Sequence, residues 1–271
     1  DMKLKSKLIF KKAAIKTKII ILIILLISIK GYAQKMIAFK DDNGKYGFKS
    51  DNHTFVTATY DLVFSFDGEF AIVTLGDKYG YINKAGKEII PIKYDIAMSF
   101  REGLATVKVN GKYGSIDSVG NQVIPFKYDS YIYFFGGLAS VKLGNKYGVI
   151  NKMGQVVIPF IYDGATMFND GYLPVKKGKN YGVVDKKGKE IIPFKYSSTN
   201  VLDKNFSLVA VEDKKGYINN NTGKEITPIK YDKGYIFVNG LAAVELNKKF
   251  GYINALGKEI TPIKYDVGSN F

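Results

Sequence analysis

Six Tyr-Asp pairs recur along this chain, at Tyr60-Asp61, Tyr94-Asp95, Tyr128-Asp129, Tyr162-Asp163, Tyr231-Asp232 and Tyr265-Asp266. A ring beside a carboxylate suits a sugar: the ring offers an apolar face and the carboxylate accepts bonds from hydroxyls. Rows of such pairs could hold a polysaccharide, with Tyr94, Asp95, Tyr128, Asp129, Tyr162, Asp163, Tyr231 and Asp232 as the candidate ligand-binding residues. The architectural reading of the same residues is that Asp caps a turn and Tyr fills a gap between units. Ser197 stands in place of Asp in one copy, so a unit can do without it.

Other chemistry is sparse. His53 is the single histidine, and a Ser-His-Asp triad would have to use it. No cysteine is present, which excludes disulfides, thiolate metal sites, a cysteine nucleophile and a lipid anchor on cysteine. No His/Cys cluster offers a zinc site, so no metal or cofactor is expected. Asp41-Asp42-Asn43-Gly44 resembles the start of a calcium loop but lacks the distal Glu, and it falls where other copies turn a hairpin. These residues predict a protein that is not an enzyme.

The elements that position the pairs repeat with them. Pro91, Pro125, Pro159, Pro193, Pro228 and Pro262 are spaced 34, 34, 34, 35 and 34 residues apart. Such a period marks a repeat array. Within residues 104–129, Ala105, Val107 and Val109 alternate with polar positions, as in a strand with one buried face. Asn110-Gly111 then signals a tight hairpin, Tyr113-Gly114-Ser115-Ile116 a second strand, and Asp117 to Gly120 a turn with a left-handed Gly. Gln122 to Phe126 is a third strand, with Pro125 at a strand end or on an edge. The strand glycine recurs at 47, 80, 114, 148, 182, 216 and 251. It predicts a bulge or a close approach, with an aromatic ring lying over it.

The fold expected is therefore all-β: about seven three-stranded antiparallel meanders in tandem, with a short fourth strand admitted in the Tyr-Asp loop. The units are 36–61, 70–95, 104–129, 138–163, 172–197, 206–232 and 241–266. One meander buries too little to stand alone, so neighbours must stack. An open, curved, solenoid-like array is favoured, with closure into a seven-bladed propeller as the alternative. The first unit is worn, with Thr57 where Pro should be, and reads as a cap; the last is not.

Residues 1–33 read differently. Eight Lys and one Asp precede or flank the apolar run Ile19 to Ile29, and small residues Gly31 and Ala33 follow. That is the pattern of a secretory signal peptide, with cleavage expected after Ala33; the alternative is an uncleaved membrane anchor. Either outcome puts residues 34–271 outside the cytoplasm, secreted, periplasmic or on the cell surface. Of the net charge of +15, +7 belongs to residues 1–33, leaving +8. The rest is mixed with many Asp and Glu, which weighs against nucleic acid as a partner.

The recurring pattern Gly-Leu-Ala-x-Val, then Lys-Tyr-Gly-x-Ile-Asn/Asp-x-x-Gly-Lys-x-Ile-Ile-Pro-x-x-Tyr-Asp, resembles the WG (KWG) repeat of bacterial proteins. The likeness spans most of residues 36–266. The Trp of that family is replaced by Tyr46, Tyr79, Tyr113, Tyr147, Tyr181, Lys215 and Phe250. The resemblance implies a β-rich repeat, often exported, and carries over no catalytic residue. The function expected is a non-enzymatic interaction module at or outside the cell envelope, with an unknown protein as partner. The alternative is a module for envelope polysaccharide.

Overall fold

The computed structural model describes residues 36–50 and 53–268. Residues 1–33, on which the expectation of a leader cleaved after Ala33 rests, lie outside the described residues. Among them every regular element is a β-strand, and the strands form seven separate antiparallel sheets in chain order.

Residues 62–94 show the plan. Leu62–Val63 pairs with Phe70–Leu75, which pairs with Lys78–Asn83, which pairs with Glu88–Tyr94. Five sheets have four strands; the first and fourth have three. The short strand comes from the segment after a Tyr-Asp pair, and it joins the sheet that follows. The Asp itself starts that pairing, as when the Asp95 N–H donates to the Lys108 carbonyl at 2.9 Å. The unit of sequence and the sheet are thus out of step by one short strand.

Turn chemistry accounts for the hairpins. Asn110 and Gly111 both have positive φ, 49° and 81°, as a tight hairpin of this type needs. In the second turn the Asn83 side-chain oxygen accepts from the N–H groups of Ala85 and Lys87, each at 3.0 Å. Asp41 does the same for Asn43 and Lys45, so Asp41-Asp42-Asn43-Gly44 is a turn of this kind. Among the described residues no group of His, Asp or Glu could hold a metal ion. His53 lies opposite Ser50 across the outer hairpin of the first sheet.

The third strand bulges. Tyr79 pairs with Tyr94 but Tyr81 with Ile90, so extra residues of the third strand, Pro91 among them, are pushed out between the pairs. Proline is tolerated there because the third strand is the sheet edge. The bulge leans on the strand glycine. A Cβ on Gly80 would sit 2.7 Å from Ile92 Cγ1 and 2.8 Å from the Ile90 carbonyl oxygen. Phe126, Phe160 and Phe194 cover Gly114, Gly148 and Gly182, whereas Ile92, Ile229 and Ile263 cover Gly80, Gly216 and Gly251. The expected ring is aromatic in three copies and aliphatic in three, because what the site needs is volume.

The sheets stack face to face through six apolar cores. In one, Ile72, Tyr81, Ile90 and Tyr94 of the second sheet meet Ala97, Ala105, Val107 and Ile116 of the third. The other five cores repeat this arrangement between successive sheets. No core joins the first sheet to the seventh among the described residues. Ile37 at one end is 52% exposed and Tyr265 at the other 45%, whereas Tyr94, Tyr128, Tyr196 and Tyr231 are buried. The sheets form an array with two free ends.

The ends are treated differently. In the first sheet exposed Lys49 stands two places after the strand glycine, where Ile82, Ile116, Ile150, Val184, Ile218 and Ile253 are buried. An ammonium there forbids an apolar neighbour, and its Nζ lies 5.4 Å from the centre of the Phe39 ring. The last sheet puts Thr261 where most copies have Ile, with its hydroxyl accepting from the Tyr252 N–H at 3.0 Å. Thr227 makes the same bond in the sixth sheet, where it is buried under the seventh. The charge at Lys49 therefore marks the first end, whereas the Thr261 bond is shared with an inner sheet and distinguishes no cap.

Replacing Gly80 by Ala forces either the bulge or Ile92 to move. The expected loss is about 1–3 kcal/mol, the usual cost of overpacking. Chemical denaturation of the variant against the parent measures it, and an unchanged midpoint would refute the close-approach account.

Candidate functional site

The Tyr-Asp pairs are spent on the architecture. The rings of Tyr94, Tyr128, Tyr162 and Tyr231 are buried in four successive or alternate cores, which leaves no open face for a sugar. Burial also pushes their phenols above the usual value. The Tyr128 hydroxyl is buried without a hydrogen-bond partner, in a core where Ser115 is in the same condition.

Each aspartate is a clamp. One oxygen of Asp95 accepts from Lys78 Nζ at 2.5 Å, and one of Asp163 from Lys146 Nζ at 2.5 Å. Asp129 and Asp232 pair with Lys112 and Lys214 in the same way. The second oxygen reaches across to the first hairpin turn of the next sheet. Asp61, Asp129 and Asp163 accept there from the N–H groups of Gly76, Gly144 and Gly178, each at 2.7 Å. Asp232 accepts from Asn247 N–H at 2.6 Å. One carboxylate thus ties the hairpin of its own sheet to that of the next.

The loops between each Tyr-Asp pair and the next sheet hold the surface that the pairs do not. Each carries a buried or half-buried side chain that plugs the core: Phe66, Phe100, Phe134, Phe168, Leu202 and Phe237. Hydroxyls of the preceding sheet pin the loop backbone. Tyr81 donates to the Met98 carbonyl at 2.7 Å and Tyr217 to that of Tyr235 at 2.8 Å. Thr106 and Ser140 bond the carbonyls of Ile132 and Thr166. A tight turn then closes most loops, for example Glu102-Gly103 and Asp170-Gly171, both with positive φ. The residues flanking the plug are held at fixed places by this frame.

Those flanking residues line two cavities. One, of about 430 Å³, is formed by Tyr133 and Phe135, then Thr166, Met167, Phe168, Asn169 and Pro174, then Thr199, Asn200 and Val201. It spans three successive loops and contains no charged side chain. The Asn169 side-chain amide crosses between loops to donate to the Val201 carbonyl at 2.8 Å. Tyr133, Phe135 and Met167 are 39%, 50% and 59% exposed, large apolar groups side by side in a chain with 24% charged residues. The second cavity, of about 500 Å³, shares Tyr133 and Phe135 with the first and is bounded also by Asp67, Arg101 and Glu102. The two adjoin through Tyr133 and Phe135, and together are called the cleft.

Sequence reasoning by repeats passes over this cleft, because it is built where the copies differ. One place before the plug the chain has Ser65, Ser99, Tyr133, Met167, Val201 and Ile236; one place after, Asp67, Arg101, Phe135, Asn169, Asp203 and Val238. The signal in the sequence is variation at two loop positions inside an otherwise constant unit.

The clamps carry a pH dependence. The lysine hydrogen bond first, with the hairpin N–H groups, holds the carboxyls of Asp61, Asp95, Asp129, Asp163 and Asp232 below the usual value. A carboxyl lowered on folding stabilises the array fully above its unfolded value of about 3.9. That contribution is lost as pH falls through the lowered folded values. Melting temperature should therefore be flat from neutral pH to about 5 and fall below about 4. In the Asp129→Asn, Asp163→Asn double variant the acid fall should be shallower, and an equal slope would remove these clamps from the account.

The comparisons with known proteins address the repeat. The pattern of the WG containing repeat matches residues 46–79, 79–113, 113–147, 147–181, 181–214, 216–250 and 250–271. No curated protein matches the chain. Among solved structures it is similar to Hsv2 of Kluyveromyces lactis, with 12% identity, a TM-score of 0.39, and coverage of 69% of this chain and 71% of that one. BamB from Moraxella catarrhalis gives 16% identity, a TM-score of 0.38, and coverage of 72% and 70%. A eukaryotic initiation factor gives 9%, a TM-score of 0.49, and coverage of 84% and 73%. With seven consecutive matches from residue 46 to residue 271, the chain belongs to the family of WG containing repeat proteins.

Proposed function

We propose that this protein is an exported, non-enzymatic interaction module that holds an apolar segment of a partner protein in the cleft around Tyr133. One observation carries the reading: exposed Tyr133, Phe135 and Met167 line one uncharged cavity on a pinned backbone. Large exposed apolar groups gathered at a concave site mark interaction surfaces. The aliphatic part of the lining, Met167, Pro174 and Val201, fits apolar side chains better than it fits a sugar, which needs many polar partners. Methionine at such a site adapts to the shape of its ligand.

The extracytoplasmic setting rests on the leader pattern of residues 2–33. Repeat arrays bind through surfaces that run across several units, and this cleft crosses three to five of them.

The Tyr133→Asp, Met167→Asp variant should lose a partner captured from an envelope fraction at high salt, by tenfold or more, with an unchanged melting temperature. Retention of the partner by that folded variant would defeat the cleft reading. The expressed precursor should yield a mature protein beginning at Gln34 outside the cytoplasm. A mature protein beginning at Met2 in the cytoplasm would defeat the export reading.

A further inference from the structure

We propose that the segment held in the cleft pairs a bulky apolar side chain with a neighbouring acidic residue, the apolar group entering the 430 Å³ cavity and the carboxylate meeting Arg101. The proposal rests on the interaction reading and names the chemistry of the partner.

Arg101 is the only arginine in the chain, where every other fixed cation is lysine. It sits at the base of the Glu102-Gly103 turn, its N–H donating to the Leu104 carbonyl at 2.8 Å, so its backbone is set. Its Cζ lies 4.9 Å from the centre of the Tyr133 ring. A guanidinium held against a ring is preorganised and presents its remaining N–H groups as a planar fork that fits a carboxylate in two bonds. Among the described residues no carboxylate lies within ion-pair distance of Arg101.

Two native carboxylates border the same cavity, Asp67 and Glu102. Glu102 is engaged, accepting from the Gly137 N–H at 3.0 Å. A second cation stands near: Lys186 reaches the turn glycines Gly136 and Gly171 beside Phe135, and it too makes no ion pair among the described residues. Arg101 and Lys186 are thus two cations without an ion-pair partner near the uncharged apolar cavity, while Asp67 and Glu102 border the Arg101 side of the cleft. The Tyr133 ring joins the two halves, since it walls the apolar cavity and also supports the guanidinium. The spacing of one side chain requires the acidic and apolar groups of the partner to lie close in its sequence.

A random dodecapeptide display library, selected on residues 34–271, tests this directly. The expected enrichment is Asp or Glu within two residues of Phe, Leu, Met or Trp. Selection on Arg101→Gln should keep the apolar residue and lose the acidic one, and an enriched peptide should bind that variant about tenfold more weakly. Basic residues in place of acidic ones, or the same acidic enrichment on Arg101→Gln, would overturn the proposal and leave the cleft reading standing. Peptides that bind the folded Tyr133→Asp, Met167→Asp variant as well as the parent would overturn both. Thermal melts of each variant confirm that the array is intact.

Discussion

A sheet of three or four short strands has two faces and cannot bury either one alone. Everything else in this molecule follows from that constraint. Each sheet must be covered by the next, so the chain repeats its apolar code: Ala and Val on the first strand, Ile on the second and third, Tyr at the end of the third. A buried side chain of this size contributes about 1.5–3 kcal/mol. Each of the six cores gathers several from both sheets, so stability lies between units as much as within them. The aspartate clamps act on the same joints. They sit at the rim, where exposed ion pairs are weak, and set the register of one hairpin against the next more than they set its free energy.

The same constraint consumes the residues that look most chemical. A Tyr-Asp row suggests a ligand site because it repeats, but repetition is what stacking demands. Tyr closes each core and Asp binds across every joint except the one where Ser197 stands in its place, so neither is left for an outside molecule. The residues free to serve a partner are those that the joints do not use. Here they flank the apolar plug of each loop, at positions whose backbone the joints nevertheless fix.

This division explains what the sequence made legible. The period, the hairpins at Asn110-Gly111 and Asn83 to Gly86, and the edge position of Pro91 all rest on local rules of backbone geometry, and these transfer directly to the structure. The fourth strand was only partly legible, because Leu62–Val63 and its equivalents are too short to show an alternation. Their assignment to the following sheet depends on the neighbour they meet. The Lys49 cap was legible in type but not in role, since its meaning appears only once Ile82 and Ile116 are seen buried at the same place. The cleft was least legible. Arg101, Tyr133 with Phe135, and Met167 come from three successive units, and although they hold equivalent places beside the plug their residue types do not repeat. Only the stacking of successive sheets brings their loops to one surface.

The place of the cleft within the array has a physical consequence. In a nearest-neighbour array the end units have one stacking partner and the inner units two, so opening begins at the ends. Lys49 lowers the cost of the bare face at one end but adds no partner, and Tyr265 at the other is half uncovered. The cleft draws on the loops that lead into the second, third, fourth, fifth and sixth sheets, each covered on both sides. Its walls are thus set on sheets stacked on both sides, with carbonyls pinned by Tyr81, Thr106 and Ser140. A partner entering it meets side chains already in position and gives up little ordering energy on the protein's side. Unlike repeats at the loops and like repeats at the joints are then two halves of one arrangement: the joints hold still what the loops vary.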